Sequence, residues 1–292
     1  MRQTQRQSIP ILSSARDLLA AYDAIFCDVW GVVHNGRTAY VEACNLLRDF
    51  RASGGTVILV SNAPRRAATV ASVLDEKSVP RSSWDAIMSS GEISVRHVNE
   101  KAYKRVFHLG PDRDLDLFET IDAQRTPLAE AEAIVATGLL NDAHETGEDY
   151  RERLAPSAEH GIPLVCANPD LIVDVGGVLL PCAGAIATVY EDLGGPVFWA
   201  GKPHAEAYCA AQKLAQELRG APVIKDRIIA IGDAERTDIA GAFHYGIASV
   251  FIGQGIHRAD VMPSGHDLDG PALEKLFSGH SHRPIAALPT LK

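Results

Sequence analysis

The sequence predicts an α/β fold in which a mostly parallel sheet forms a core and a second α/β unit is inserted into it. Short apolar segments alternate with helix-like segments along the 292 residues, which is typical of parallel sheets with helical crossovers. A second alternating series interrupts the first within the middle third of the chain. We therefore expect residues 1–100 and 196–292 to form the core, and residues 101–195 to form an inserted α/β cap.

The first series of elements precedes residue 92. Short apolar runs predict buried strands, and the longer segments between them predict helices; in 41–53, Leu46, Leu47 and Phe50 share a face and Gly54-Gly55 end the helix. The predicted strands are 24–27, 56–60 and 86–88, and the predicted helices are 14–22, 41–53 and 64–77.

The second series and the return to the core follow the same rules. Its predicted strands are 105–109, 133–136 and 163–166, its predicted helices are 149–159 and 184–190, and the core resumes with strands 197–199 and 227–231. The tail from Met262 is rich in Pro, Ser, Gly and His. We expect this tail to be a solvated end, and not a metal site formed by His280 and His282.

The composition excludes some classes of protein. A formal net charge of −9 argues against extended nucleic-acid binding but leaves small anionic substrates open. The five cysteines are scattered without a CxxC pair, which fits reduced thiols in the cytoplasm. No apolar stretch reaches the ~20 residues that span a bilayer. The basic, acid-free segment Met1–Arg16 is expected to be a frayed arm, and not a transit peptide.

Polar side chains follow four of the predicted strands. A carboxylate, a hydroxyl with an amide, a cation and two further carboxylates occur in this order: Asp28, then Ser61 and Asn62, then Lys202, then Asp233 and Asp238. Open α/β sheets bind ligands outside the carboxyl ends of their strands. We therefore expect all four clusters to lie at strand ends of one core.

This combination of side chains suits phosphoryl transfer. Asp28 could attack phosphorus and form an aspartyl-phosphate. Mg²⁺ prefers oxygen ligands, which carboxylates and a backbone carbonyl would provide. Ser61 and Lys202 would stabilise the charge on the transferring group, and Asn62 adds a neutral hydrogen-bond donor.

The four clusters resemble a known set of motifs. The segments Asp28 with Gly31-Val32, Ser61-Asn62, Gly201-Lys202-Pro203, and Gly232-Asp233 with Thr237-Asp238 are similar to the four motifs of the haloacid dehalogenase (HAD) superfamily. The cap position between the second and third motifs, with Asn168-Pro169-Asp170, resembles the class IIA branch of phosphatases related to NagD. The resemblance covers roughly residues 20–257.

The resemblance implies a Rossmann-like core with a mobile cap of the C2 type and a Mg²⁺-dependent reaction through a phospho-aspartate. It implies that Asp28 is the nucleophile and a metal ligand, and that Ser61 and Lys202 bind phosphate. Asp233 would bind the metal, and Asp238 would support it directly or through water. The backbone carbonyl of Trp30 would be the remaining protein ligand.

Trp30 is also where the chain departs from the family pattern. In phosphatases of the superfamily this position carries an acid that protonates the leaving oxygen and later activates water. General acid–base help of this kind is typically worth ~10²–10⁴ in rate. His34, on the same loop, could replace that acid, although a solvent-facing loop histidine is the simpler expectation.

The leading hypothesis is a cytoplasmic, Mg²⁺-dependent hydrolase of small phosphorylated metabolites with an impaired or unusual general acid. One alternative is a degenerate HAD protein that binds a phosphorylated ligand without turnover. Another is a different HAD reaction, such as C–P or C–halogen cleavage. A dinucleotide-binding fold is disfavoured because Gly176-Gly177 and Gly194-Gly195 do not form a GxGxxG motif after an early strand. A cap of this size could also carry a homodimer interface.

Overall fold

The computed structural model describes residues 8–175 and 178–292. The chain divides into two compact units: the described residues up to Leu59 with Lys77–Ala86 and Gln212–Lys292 form one, and the described residues of Val60–Glu76 and Ile87–Ala211 form the other. Gly176-Gly177 and the start of the N-terminal arm lie outside the described residues. The predicted division into a core and an inserted cap stays a prediction.

Strands and helices alternate along much of the chain. The strands are β1 (Ala24–Cys27), β2 (Thr56–Ser61), β3 (Ala86–Ser89), β4 (Arg105–Leu109), β5 (Gln124–Arg125), β6 (Ala133–Ala136), β7 (Leu164–Cys166), β8 (Ile172–Val175), β9 (Val178–Pro181), β10 (Val197–Trp199), β11 (Ile228–Gly232), β12 (Ala248–Ile252) and β13 (Ala286–Leu288). The helices are α1 (Arg16–Leu19), α2 (Val41–Ala52), α3 (Ala67–Glu76), α4 (Ser90–Glu100), α5 (Arg151–Glu159), α6 (Ala183–Asp192), α7 (Ala205–Arg219), α8 (Ala240–Tyr245), α9 (Arg258–Val261) and α10 (Gly270–Leu276).

A six-stranded sheet has the order β13-β12-β11-β1-β2-β3. Strand β1 lies between β11 and β2 and is parallel to both, with Cys27 opposite Ile231 on one side and Leu59 on the other. Every residue of β1 is buried. This explains its continuous apolar sequence, because both faces of a central parallel strand are covered. The predicted parallel α/β fold is confirmed.

A second sheet has the order β10-β7-β6-β4-β5, and its strands are parallel. Alternate residues along β6 pack into different apolar clusters. Ile134 joins the cluster that contains Leu164, whereas Val135 joins the cluster that contains Val165. This alternation is the two-residue period of a strand that is buried on both faces. A separate two-stranded antiparallel sheet pairs β8 with β9.

Three expectations about how segments of the chain pack were wrong. The described part of the N-terminal arm is not frayed, because the N–H of Ala287 donates to the carbonyl of Pro10 at 2.8 Å and the N–H of Leu12 donates to the carbonyl of Ala287 at 2.9 Å. Strand β10 pairs with β7 in the second sheet, so Lys202 does not follow a strand of the same sheet as Asp28 and Asp233. The order of strands along a chain does not reveal which sheet each strand joins. The tail is also not simply a solvated end, because β13 is buried and pairs with β12.

Helix α4 was not predicted, although it has a clear beginning. The side chain of Ser89 caps its first turn by accepting a hydrogen bond from the backbone N–H of Glu92. Among the described residues, every helix is too short or too polar to cross a membrane.

Candidate active site

Asp28 and Asp233 follow the carboxyl ends of two neighbouring strands of the six-stranded sheet. Asp28 follows the last residue of β1, and its backbone N–H donates to the carbonyl of Ile231 at 2.8 Å. Asp233 follows Gly232, the last residue of β11. Since β1 and β11 are adjacent and parallel, their carboxyl ends meet, and the two aspartates are brought together by the register.

Asp238 completes a group of three carboxylates, which we call the carboxylate cluster (Asp28, Asp233 and Asp238). One oxygen from each residue lies within 4.8 Å of the others. Asp233 is 5% exposed and Asp238 is 3% exposed. Like charges held this close in a buried setting are costly unless a cation balances them. Several carboxylate oxygens are the ligands that a hard divalent cation such as Mg²⁺ takes, so the residues fit this ion.

Glycines let the backbone approach the carboxylate cluster closely. A Cβ atom added to Gly255 would lie 1.7 Å from Oδ2 of Asp233, and one added to Gly31 would lie 2.1 Å from the same oxygen. Gly31 also has a φ of +80°, which disfavours a side chain. A Cβ atom on Gly232 would lie 2.1 Å from Cγ of Asp238. The cluster therefore depends on the absence of side chains at these positions.

Backbone N–H groups hold two of the carboxylates in place. The N–H of Ile256 donates to Oδ2 of Asp233 at 2.7 Å. The N–H of Ala234 donates to Oδ2 of Asp238 at 3.2 Å. Asp233 is thus oriented by the loop that follows β12, and Asp238 by the loop that follows β11.

The indole of Trp30 packs on the loop after β1. Its ring contacts the imidazole of His34 edge to face, with centroids 5.2 Å apart. A Cβ atom on Gly36 would lie 2.5 Å from Cη2 of Trp30, so the indole lies against the loop backbone. The side chain of Trp30 is 42% exposed. Its role here is apolar packing, and the metal contact expected of its carbonyl stays a prediction.

His34 does not face solvent, contrary to the simpler expectation. It is 3% exposed, and its Nδ1 atom accepts a hydrogen bond from the N–H of Gly36 at 2.8 Å. Burial and the positive charge of Lys77 lower the pKa of His34 to about 4. The imidazole is therefore neutral near pH 7 and serves the loop as a hydrogen-bond acceptor. These properties do not favour it as a substitute general acid.

A second polar group in the other compact unit surrounds Lys202. Lys202 is 4% exposed and Asn62 is 6% exposed. The amide of Asn62 accepts from the N–H of Lys202 at 2.8 Å and donates to its carbonyl at 3.0 Å. It also donates to Oδ1 of Asp170 at 2.9 Å. Asn62 therefore positions the Lys202 backbone, and its predicted contact with phosphate stays a prediction.

Gly201 and Ser90 complete this second group. A Cβ atom on Gly201 would lie 2.2 Å from Oγ of Ser90 and 2.5 Å from Oδ1 of Asn62. Sequence reasoning missed the contribution of Ser90. The signal that could have revealed it is the Ser89-Ser90-Gly91 segment directly after a short apolar strand.

Ser61 is the last residue of β2 and is half-buried. Its hydroxyl oxygen accepts a hydrogen bond from the N–H of Ala63 at 3.2 Å. The structure therefore brings Asp28, Asp233 and Asp238 together in one unit, and joins Asn62 to Lys202 in the other. The phosphate-binding role of Ser61 stays a prediction.

Comparison with known proteins shows the family to which the chain belongs. Residues 25–124 match a family model described as haloacid dehalogenase-like hydrolase, and residues 199–272 match a second model described as HAD-hydrolase-like. A hydrolase of the haloacid dehalogenase-like family from Brucella suis 1330 is 40% identical, with a TM-score of 0.83 over 97% of this chain and 100% of that chain. The chain therefore belongs to the haloacid dehalogenase-like hydrolase family. The prediction of a HAD-like hydrolase is confirmed.

More distant structures share the fold. A p-nitrophenyl phosphatase from Archaeoglobus fulgidus is 20% identical with a TM-score of 0.72, and NagD from E. coli K-12 is 18% identical with a TM-score of 0.67. Each match covers 92% of this chain and 96% of the other. The resemblance to the class IIA, NagD-like branch is confirmed at the level of the fold. None of the curated proteins compared with the chain matched it.

Proposed function

We propose that this chain is a Mg²⁺-dependent phosphatase of small phosphorylated metabolites in which Asp28 is the nucleophile. The observation that carries the proposal is the carboxylate cluster, whose three members each place an oxygen within 4.8 Å of the others. Membership of the HAD-like hydrolase family and the fold shared with a p-nitrophenyl phosphatase support it.

Asp28, Asp233, Asp238 and the carbonyl of Trp30 would hold the metal. When bound, Mg²⁺ would neutralise charge on the phosphoryl oxygens and help to orient the substrate. The ligand chemistry of the cluster suits this ion because the side-chain donors are all carboxylate oxygens.

The covalent step uses Asp28. A carboxylate oxygen attacks phosphorus, the bond from phosphorus to the leaving oxygen breaks, and an aspartyl-phosphate forms. Water then attacks the same phosphorus, which releases phosphate and restores the carboxylate. The ammonium of Lys202 and the hydroxyl of Ser61 would stabilise the transferring phosphoryl group. Asn62 would act as a positioning residue by fixing the backbone of Lys202.

The proton needed by the leaving oxygen has no evident donor at position 30, because an indole cannot supply it. His34 is neutral, buried and hydrogen-bonded to Gly36, so it does not take this role either. We therefore propose that turnover is limited to leaving groups that depart with little protonation. The tryptophan at position 30 does not alter the proposed metal ligands or the proposed nucleophile.

The test is Mg²⁺-dependent phosphate release from a panel of phosphomonoesters that includes p-nitrophenyl phosphate, with Asp28→Asn as the control. We expect release by the wild type, highest with good leaving groups, and none by Asp28→Asn above background. Release that survives in Asp28→Asn would contradict the covalent mechanism. If the wild type released no phosphate from any ester, the proposal that the chain is a phosphatase would be contradicted.

Trp30 favours one second candidate, a HAD protein that binds a phosphorylated ligand without turnover. Calorimetric binding of a phosphomonoester with no phosphate release would identify this outcome. Among the different HAD reactions, which include C–P and C–halogen cleavage, metal-free dehalogenation is the most disfavoured, because Asp233 and Asp238 offer the carboxylate oxygens that suit a metal.

We also propose that the enzyme acts in the cytoplasm on a small-molecule substrate, with neither nucleic acid nor a membrane as its partner. All five cysteines are free thiols, which suits a reducing compartment. The net charge of −9 is unfavourable for nucleic-acid binding. A homodimer formed through the cap stays a prediction.

A further inference from the structure

A second group of metal-binding side chains lies outside the carboxylate cluster. It consists of Glu235, His280 and His282, which we call the Glu–His–His cluster. One ligand atom from each residue lies within 4.8 Å of the others. Nε2 of His282 contacts Oε1 of Glu235 directly, and Nδ1 of His280 lies 3.5 Å from the same oxygen. All three residues belong to the same compact unit.

We propose that the Glu–His–His cluster binds Zn²⁺. Two imidazole nitrogens and one carboxylate oxygen form a ligand set that Zn²⁺ takes in proteins, with water in the fourth position. Mg²⁺ prefers oxygen ligands and keeps several waters, so it suits the carboxylate cluster and not this one. The chain would thus hold two different ions in two sites that differ in ligand chemistry.

A single hydrogen bond between Glu235 and one histidine does not account for the arrangement. A carboxylate–imidazole hydrogen bond would use His282 alone, whereas both imidazoles approach the same oxygen of Glu235. The side chains of Glu235 and His282 are 13% and 12% exposed, but that of His280 is 44% exposed. The cluster is therefore shielded on one side and open on the other, which leaves room for an ion to enter and for a water ligand.

Packing also orients one of the ligands. The ring of His282 lies beside the rings of Phe243 and His244, with centroids 6.3 Å and 6.2 Å away. Contacts of this kind restrict the imidazole to few orientations. Restricted side chains lose less entropy when an ion binds, because they are already ordered.

The position of Glu235 connects this site to the carboxylate cluster. Glu235 lies between Asp233 and Asp238 in sequence and begins the short π-helical turn Glu235–Ile239. His280 and His282 come from the segment that precedes β13. Bound Zn²⁺ would therefore link the tail to the loop that carries two of the Mg²⁺ ligands, and would stabilise the folded unit by mass action.

The first experiment measures zinc bound to the full chain, without a polyhistidine tag, in a large excess of Mg²⁺. The protein is stripped with a chelator, dialysed against Zn²⁺ and analysed by elemental mass spectrometry. We expect one Zn²⁺ per chain in the wild type. In His280→Ala and His282→Ala we expect the affinity for Zn²⁺ to be at least about tenfold weaker. Loss of a group that is only hydrogen-bonded to a metal ligand already weakens metal binding about 10–100-fold. His266→Ala removes an exposed histidine from the same tail and is expected to bind like the wild type.

Two further measurements keep the proposal falsifiable if one variant folds poorly. Co²⁺ bound in place of zinc should give visible absorption in the wild type and not in His280→Ala. This variant is chosen because His280 is the more exposed of the two histidines, so its replacement disturbs folding less. Zn²⁺ should raise the Tm of the wild type but not of His280→Ala. Less than one Zn²⁺ in the wild type, or equal retention in His280→Ala, would overturn the proposal. Loss of zinc in Asp28→Asn would also overturn it, because zinc would then occupy the carboxylate cluster.

Discussion

The side-chain amide of Asn62 is hydrogen-bonded to both backbone groups of Lys202. Its oxygen accepts from the N–H at 2.8 Å and its nitrogen donates to the carbonyl at 3.0 Å, and both residues are buried. The two positions are 140 residues apart in sequence. This amide therefore joins two distant segments of the chain and helps to hold the Lys202 backbone in place.

Asn62→Ala is expected to lower kcat/KM by about two orders of magnitude, because small displacements of a positioned group are costly in catalysis. It should also reduce the free energy of unfolding by about 2 kcal/mol, since buried backbone groups lose their partners. Phosphate release and urea unfolding measure the two effects. Asn45→Ala, which removes an exposed hydrogen bond to Arg48, should change neither. Unchanged activity in Asn62→Ala would contradict a positioning role.

Gly255→Ala is expected to raise the Mg²⁺ concentration needed for half-maximal activity. The added methyl would lie 1.7 Å from Oδ2 of Asp233, so the carboxylate must move. A Mg²⁺ titration of phosphate release measures the change. Gly270→Ala is the matched control, because no heavy atom lies within 4 Å of the Cβ position there. Equal Mg²⁺ requirements in the two variants would show that the position of Asp233 does not govern metal binding.

The strands were the most predictable part of this fold. Ala24–Cys27, Arg105–Leu109 and Val197–Trp199 have the predicted bounds, and each is a short segment composed mostly of apolar residues. Their assignment to sheets was not predictable in the same way. Val197–Trp199 joins the second sheet through pairing with β7, and such pairing depends on contacts between distant segments that no local pattern encodes.

The site was predictable only in part for a similar reason. Asp28 and Asp233 each follow a buried strand, so their place at a sheet edge could be read from the chain. The hydrogen bonds between the Asn62 amide and the Lys202 backbone could not be predicted, because they depend on the orientation of one side chain in the folded unit. The close approach of Gly255 to Asp233 could not be predicted from the sequence either, since a glycine after a strand usually indicates only a turn.

Trp30→Asp is expected to increase activity most for esters with poor leaving groups. The new carboxyl could protonate the leaving oxygen, an effect worth up to ~10²–10⁴ in rate. The measurement is kcat/KM against leaving-group pKa, which should fall steeply in the wild type and less steeply in the variant. Trp30→Asn removes the same indole packing without adding an acid and should keep the steep dependence. Equal slopes for Asp and Asn at this position would contradict the account of the missing acid.

His108, in β4, is expected to make stability fall in mild acid. Burial and the charge of Arg125 lower its pKa from 6.5 to about 4, so the unfolded chain binds the proton more tightly. Stability is therefore lost as the pH falls below about 6.5 and the loss is complete below about 4. Between pH 7 and pH 5 the wild type should lose about 1 kcal/mol through this residue, because solvent screening reduces the effect of a partly buried group.

Urea unfolding at both pH values, in the wild type and in His108→Gln, measures that contribution. The variant should lose less stability on acidification because glutamine does not titrate. His160→Gln replaces an exposed histidine and should behave like the wild type. The same pH dependence in His108→Gln and the wild type would show that His108 does not couple folding to protonation.

The central claim is that Asp28 accepts the phosphoryl group, and trapping that intermediate tests it most directly. The full chain is mixed with p-nitrophenyl phosphate and Mg²⁺, quenched in acid within the first turnovers, and digested for peptide mass spectrometry. The account predicts a single added phosphoryl group on the peptide that contains Asp28, and none in Asp28→Asn. Phosphate release without any adduct on Asp28, or an adduct on another residue, would contradict it.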